Sequence, residues 1–384
     1  MLVKIDIDAL DEIADRLAWA LDKQGKREAI VHTFDHLART VPLPLLDERM
    51  AYLKCIWLIH RLDDPALADK ILAKWPSHKD IRDLRLLQMY CEVRGGSITP
   101  SKCIELVNRI LSLADSSAEK LQYSTVKAMM TAIVGESDEA EKLQAEALGS
   151  YLPAVANATK DGDLHACIVC AQALAFQGML SGDLMAFERA LGFLNKIALE
   201  DLTSQGASEV LCQKGLLLLH KGDIPDAIDC LTQAQNQNPG VLPLIYRMEA
   251  FVSADDLARA KIDLEVLGAM GIPENCKLEF YRSAASLSVK AGDAVAARKL
   301  VSELKAIELP LLYFRTQRDE LCITLLEFID QQQSQSGKTP APSKIRGFLE
   351  RIRVVSEYFE LKPNLFGLGI NMNRLLETKK KTSL

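Results

Sequence analysis

Two short stretches hold residue types able to do chemistry. In "HTFDH", His32 and His36 stand four residues apart with Asp35 between them. That is one helical turn, a spacing at which two imidazoles can share a metal ion. A metal-dependent hydrolase built on His32, Asp35 and His36 is the reading this allows. No third ligand is identifiable from the sequence, and the bland alternative is a solvated helix face. In "HACIVC", His165, Cys167 and Cys170 offer three donors, where structural zinc takes four. No second close pair exists, and Cys167 and Cys170 sit at helical spacing in an apolar run, as buried thiols do.

Other catalytic signatures are absent. There is no phosphate-binding glycine loop, dinucleotide fingerprint or nucleophile elbow. The acidic residues read as solvated helix faces, with no pair set apart as acid and base. The sequence therefore predicts a non-enzyme and implies no cofactor and no metal. The lysines at 379–381 are the one basic run. Each adds about 1 kcal/mol near an anionic surface, and a solvated terminus explains them as well.

Composition sets the frame. The chain has 384 residues, 48% apolar and 26% charged, with 6% aromatic. Such a mix buries a large core and favours packed helices over strands. The formal net charge is -6, which argues against a whole-chain nucleic-acid binder. From Lys338 onward, however, ten Lys/Arg face four Asp/Glu. The N-terminus has acidic residues where a signal peptide needs an apolar run, and no uninterrupted apolar stretch appears long enough to span a membrane. The expectation is a cytoplasmic protein. Nine cysteines at irregular spacing fit buried thiols better than a disulfide framework.

The elements that would position these residues recur. Around residues 212–239, "CQKGLLLLHKGDIPDAIDCLTQAQNQNP", the preceding Leu211 shares one helix face with Gly215 and Leu218. Gly222-Asp223 then breaks the helix: glycine can end it in the left-handed conformation, and aspartate can cap the next. Ala227, Leu231 and Ala234 make the inner face of a second helix, and Pro239 stops it. Small residues at Gly215 and Ala227 let the two helices approach. The beat repeats with Ala285, Gly292-Asp293, Ala297, Val301 and Leu304, and with Met248, Phe251, Asp255, Ala260, Leu264 and Leu267. Upstream it recurs in Ala175, Gly182-Asp183, Phe187 and Leu191, in Ala128, Gly135, Ala140, Gln144 and Ala147, and in Ala18, Gly25, Ile30 and Phe34. Units begin near residues 11, 49, 81, 121, 168, 208, 241 and 278.

This pattern resembles the tetratricopeptide repeat, with its roughly 34-residue helical hairpin. The resemblance covers about 300 residues and implies an all-α, right-handed superhelical solenoid of about eight hairpins with a C-terminal capping helix. Residues 1–330 would form the solenoid, with a soft boundary near 157–164. A polar linker would follow at 331–344, then an amphipathic capping helix at 345–361 with Ile345, Phe348, Ile352 and Phe359 on one face. A basic tail would close the chain at 362–384.

In this family the first helix of each hairpin lines a concave groove that holds a partner peptide or helix. Carried over, the groove positions in the N-terminal hairpins are Trp19, Lys23, Leu53, Trp57, His60 and Arg61. Further along they are Gln122, Met129, Gln172, Phe176 and Met179, then Leu216, His220, Glu249, Arg282 and Lys290. Trp19 and Trp57 fall at equivalent places in consecutive units and would make an anchor pocket; packing between hairpins is the alternative for either. Some family members clamp a chaperone's C-terminal carboxylate with basic and amide side chains. The matching positions here hold Asp15, Trp19, Leu53 and Trp57, which cannot do so. The resemblance thus implies a protein–protein scaffold or adaptor with a protein or peptide partner. A peptide-responsive regulator of a protein is the alternative, and the His32/Asp35/His36 hydrolase the remote one.

Overall fold

The computed structural model describes residues 13–14, 16–18, 20–21, 24–40, 46–60, 65–94, 98–159, 163–273, 276–307, 318–319, 321–327 and 329–330. The linker, capping helix and basic tail expected at 331–384 lie outside them. Among the described residues every regular element is helical. The chain divides into two compact units, Met1–Asp115 and Ser116–Leu384.

The first unit contains α1 (helical residues within 13–21), α2 (Arg27–Thr40), α3 (Leu46–His60), α4 (Pro65–Leu72), α5 (Leu84–Arg94) and α6 (Pro100–Leu113). Ala14 and Ala18 of α1, Ile30 and Phe34 of α2, and Leu46, Met50, Leu53 and Trp57 of α3 share one core. The link between α4 and α5 is held by polar ties. The Glu48 carboxylate accepts from the backbone N–H groups of Arg82 (2.7 Å) and Asp83 (2.6 Å). Arg109 donates to the carbonyls of His78 and Ile81. A buried loop needs such partners for its backbone groups.

The second unit is a run of five hairpins: α7 (Ser117–Ile133) with α8 (Ser137–Ala158), α9 (Leu164–Ser181) with α10 (Leu184–Leu194), α11 (Ser204–Lys221) with α12 (Ile224–Gln237), α13 (Val241–Ser253) with α14 (Leu257–Met270), and α15 (Lys277–Lys290) with α16 (Ala294–Ala306). First helices also pack on first helices, α7 on α9 and α11 on α13 on α15. Each second helix packs back onto the first helix of the next hairpin. The expected boundary at 157–164 falls inside this unit, where α8 and α9 pack together across it.

The sequence signals explain the hairpins. Gly222 ends α11 in the left-handed region, φ 90°, where a side chain is strained. Its N–H and that of Asp223 return to the carbonyls of Leu219 and Leu218, closing the last turn as such caps do. Ala227, Leu231 and Ala234 are all fully buried. A methyl group on Gly215 would stand 2.5 Å from Leu231 Cγ, so the close approach read from the sequence is real. Gly178 plays the same part in α9, with Phe187 Cζ at 2.9 Å. One cap differs from expectation. Asp183 and Asp293 accept from the backbone of α10 and α16, but Asp223 makes no such bond; its carboxylate pairs with Lys221 at 3.0 Å instead.

Helix α9 corrects the expectation that no segment is long and apolar enough to cross a membrane. By length and composition it is. The structure gives the reason for its apolarity: α9 packs against α7, α8 and α10, and Ala166 to Ala171 are buried in succession.

Candidate functional site

The expected groove residues separate by burial. Trp19, Lys23 and Arg61 lie outside the described residues, as does the side chain of His60. Leu53 and Trp57 belong to the core of the first unit, Trp57 with 2% of its surface exposed. Met129, Phe176, His220 and Arg282 are buried too. These six correct the sequence reading: as packed here they are interior side chains, not an open face. The cause is packing between hairpins: Leu53 and Trp57 lie in the core that α3 shares with α1 and α2, and α7, α9, α11 and α15 each pack on a neighbouring first helix as well as on second helices. Gln122, Gln172, Met179, Leu216, Glu249 and Lys290 remain half-buried.

The polar members are tied to neighbouring helices and corners. Arg282, 2% exposed, donates from Nη2 to Glu249 Oε2 at 2.7 Å, and Ser283 Oγ reaches the same oxygen at 3.3 Å. This joins α15 to α13 with a charge-assisted bond, the kind a buried guanidinium requires. Lys290 pairs with Asp255 at 3.1 Å and donates to the carbonyl of Val252. His220 stacks on Phe187 with ring centroids 5.7 Å apart, binding α11 to α10. Gln144 of α8 is fully buried and donates to the Ala173 carbonyl of α9 at 2.8 Å.

The candidate metal residues are not assembled for that role. His32 and His36 are exposed on α2, and Asp35 is ion-paired with Lys54, itself only 5% exposed. Among the described residues no three His, Cys, Asp or Glu converge as metal donors. Cys167 and Cys170 are buried. Burial pushes the Cys170 thiol up to about 12, and its neighbour Cys167 adds to the shift. All nine cysteines are free, seven of them buried.

Two open furrows separate consecutive second helices, and the sequence reading passed over both. Between α8 and α10, Leu148, Gly149, Leu152, Pro153 and Ala156 face Arg189, Gly192, Phe193 and Lys196 across about 610 Å³. Between α10 and α12, a furrow of about 310 Å³ is lined by Leu191, Asn195, Lys214, Leu218, Asp226, Asp229 and Cys230. Burial pushes the Lys214 ammonium down from its ordinary range. The clue to the first furrow was visible: Gly149, Pro153 and Gly192 are helix-disfavoured residues inside helices.

No protein-family model matches the sequence, and no curated protein matches it. Among solved structures, a tetratricopeptide repeat protein from Parabacteroides merdae is similar at 13% identity and TM-score 0.45, over 74% of this chain and 99% of that one. Yeast Tom70 is similar at 13% identity and TM-score 0.41, over 85% of this chain. The match spans 63% of Tom70's length.

Proposed function

We propose that the protein is a non-enzymatic scaffold that binds a peptide or helix of a partner protein along the layer of first helices in its second unit. The observation that carries this is the packing of α7 on α9, of α11 on α13 and of α13 on α15, which sets side chains from successive hairpins side by side. Gln122, Gln172, Met179 and Leu216 are the half-buried positions of that layer and the contact residues of this reading. Repeats of this kind present extended surfaces rather than one deep pocket. Amide and thioether side chains supply adaptable hydrogen bonding and soft packing for a peptide. The Glu249–Arg282 pair fixes the spacing between α13 and α15 rather than offering a free charge.

The test is affinity capture from native host lysate with quantitative mass spectrometry, comparing wild type with Gln122→Trp/Gln172→Trp and with a chain ending at residue 337. A partner lost only in the tryptophan variant is the expected result. Loss only in the truncated chain moves the function to the C-terminal segment. Equal recovery by all three excludes the first-helix layer.

A further inference from the structure

We propose that the furrow between α8 and α10 is a second docking site, built for an acidic amphipathic helix of a partner protein. It lies between second helices and does not depend on the first-helix reading above.

Three residues along this furrow are ones that local physics disfavours in a helix. Gly149 and Gly192 sit inside helices, where glycine is worse than every residue except proline. Pro153 sits inside α8 and lacks the N–H that would serve the carbonyl of Gly149, four residues back. Gly215 and Gly178 have a packing reason in the side chains they meet, whereas Gly268 of α14 meets nothing. Gly149 and Gly192 likewise have no packing reason: a methyl group on either would meet nothing within 4 Å. Both line the same furrow, from opposite walls. Two absent side chains facing one open space leave room for another backbone to approach closely, the device helix pairs use where small residues meet.

The rest of the lining states what that backbone must carry. Leu148, Leu152, Ala156 and Phe193 make an apolar floor. Arg189 and Lys196 are its only charged members, and both are exposed. Arg189 has no ion pair or hydrogen bond among the described residues. Lys196 lies over the Phe193 ring at 4.6 Å and donates to Thr159 Oγ1 at 2.9 Å, so it is held at the rim without a carboxylate. The nearest acid on α10, Glu188, pairs with Lys221 on α11 at 3.8 Å. Met185, 61% exposed, continues the Arg189–Gly192–Lys196 stripe one turn toward the start of α10. From Met185 to Lys196 the stripe runs about 16 Å at 1.5 Å per residue. That is an elongated track, the shape in which a helix lies.

Charge selects among occupants. The C-terminal segment of this chain carries ten Lys/Arg against four Asp/Glu from Lys338 onward, the wrong sign for Arg189 and Lys196. A partner helix with an apolar stripe and two carboxylates seven residues apart matches both cations and floor.

Calorimetric titration of the full chain tests this with three synthetic 18-residue helical peptides. They share one Ala/Leu face and carry Glu, Gln or Lys at two positions seven residues apart. The Glu peptide is expected to bind saturably in the micromolar range, and the Gln peptide about tenfold more weakly for loss of about 1.4 kcal/mol. Arg189→Glu should reverse the order in favour of the Lys peptide. Gly149→Leu/Gly192→Leu fills the furrow from positions where a Cβ meets nothing within 4 Å and should abolish binding while the melting temperature is kept or raised. Gln122→Trp/Gln172→Trp should leave binding unchanged, which separates this site from the first-helix layer. No saturable binding of the Glu peptide overturns the proposal, as does undiminished binding to the filled furrow. Laurate binding to wild type but not to the filled furrow, without peptide binding, overturns it in favour of an anionic amphiphile.

Discussion

The seam within a hairpin and the furrow between hairpins use the same residue to opposite ends. At the α11–α12 seam, the space a Gly215 side chain would need is taken by Leu231. At the α8–α10 furrow, the space beside Gly149 and Gly192 is empty. One glycine is required by packing already present, while the other two are tolerated at a cost nothing inside the chain repays. Identity alone does not separate them; the atom that would meet a Cβ does.

The largest expected effect tests the seam. Gly215→Ala forces a methyl against Leu231 and should destabilise the protein by about 1–3 kcal/mol through overpacking. Leu231→Ala alone should cost about 2–5 kcal/mol as a cavity. The double variant should cost less than the two together by at least about 1 kcal/mol, because each change relieves the other. Urea unfolding followed by far-ultraviolet circular dichroism measures this. All three tryptophans, Trp19, Trp57 and Trp75, lie before residue 116, so their fluorescence reports the first unit as an internal control. Simple additivity would show that the seam is looser than drawn.

A second effect, of opposite sign, compares equivalent seams. Gln144 occupies in α8 the place that Leu231 holds in α12, between alanines at 140 and 147. It is fully buried, and its Oε1 has no hydrogen-bond partner. An unsatisfied buried acceptor costs about 1–3 kcal/mol. Gln144→Leu should therefore stabilise by about 1–2 kcal/mol, less the bonds its Nε2 gives to Ala173 and Thr125. Loss of stability would mean that those bonds outweigh the orphan oxygen.

How far the sequence foretold this molecule divides along the same line. Hairpin corners were legible because Gly-Asp pairs have a local cause, and the buried triad Ala227, Leu231, Ala234 because helical period fixes a shared face. The groove assignment failed for Met129, Phe176, His220 and Arg282 because burial there comes from a neighbouring hairpin some forty residues away, which no local period encodes. Trp57 takes the alternative open to it, packing between hairpins in one core with Met50 and Phe34. The α8–α10 furrow was hidden because its walls are far apart in sequence, although Gly149, Pro153 and Gly192 each broke a helix rule in plain view.

The smaller predictions sharpen the contrast at the furrow and then at a half-buried histidine. Gly149→Ala and Gly192→Ala meet no atom, so each should stabilise the helix by about 0.5–1 kcal/mol. Thermal melting of each variant checks the sign, and a loss would place a hidden contact at that site.

His165 gives a pH dependence to the seam side. Burial pushes its imidazole below the ordinary value of 6.5, with Asp163 and Glu119 opposing weakly; His78 is pushed the same way. The folded chain therefore keeps the ring neutral where the unfolded chain protonates it. Below about pH 6.5 the unfolded state binds the extra proton, so stability falls with acidification until the folded-state pKa is passed. His165→Gln removes that proton uptake. Its urea midpoint should fall less than that of wild type between neutral and mildly acidic pH, and His165→Gln/His78→Gln should flatten the profile further. A wild-type midpoint that stays level as the pH falls would mean that the His165 ring is hydrated in the folded chain and that α9 does not close over it.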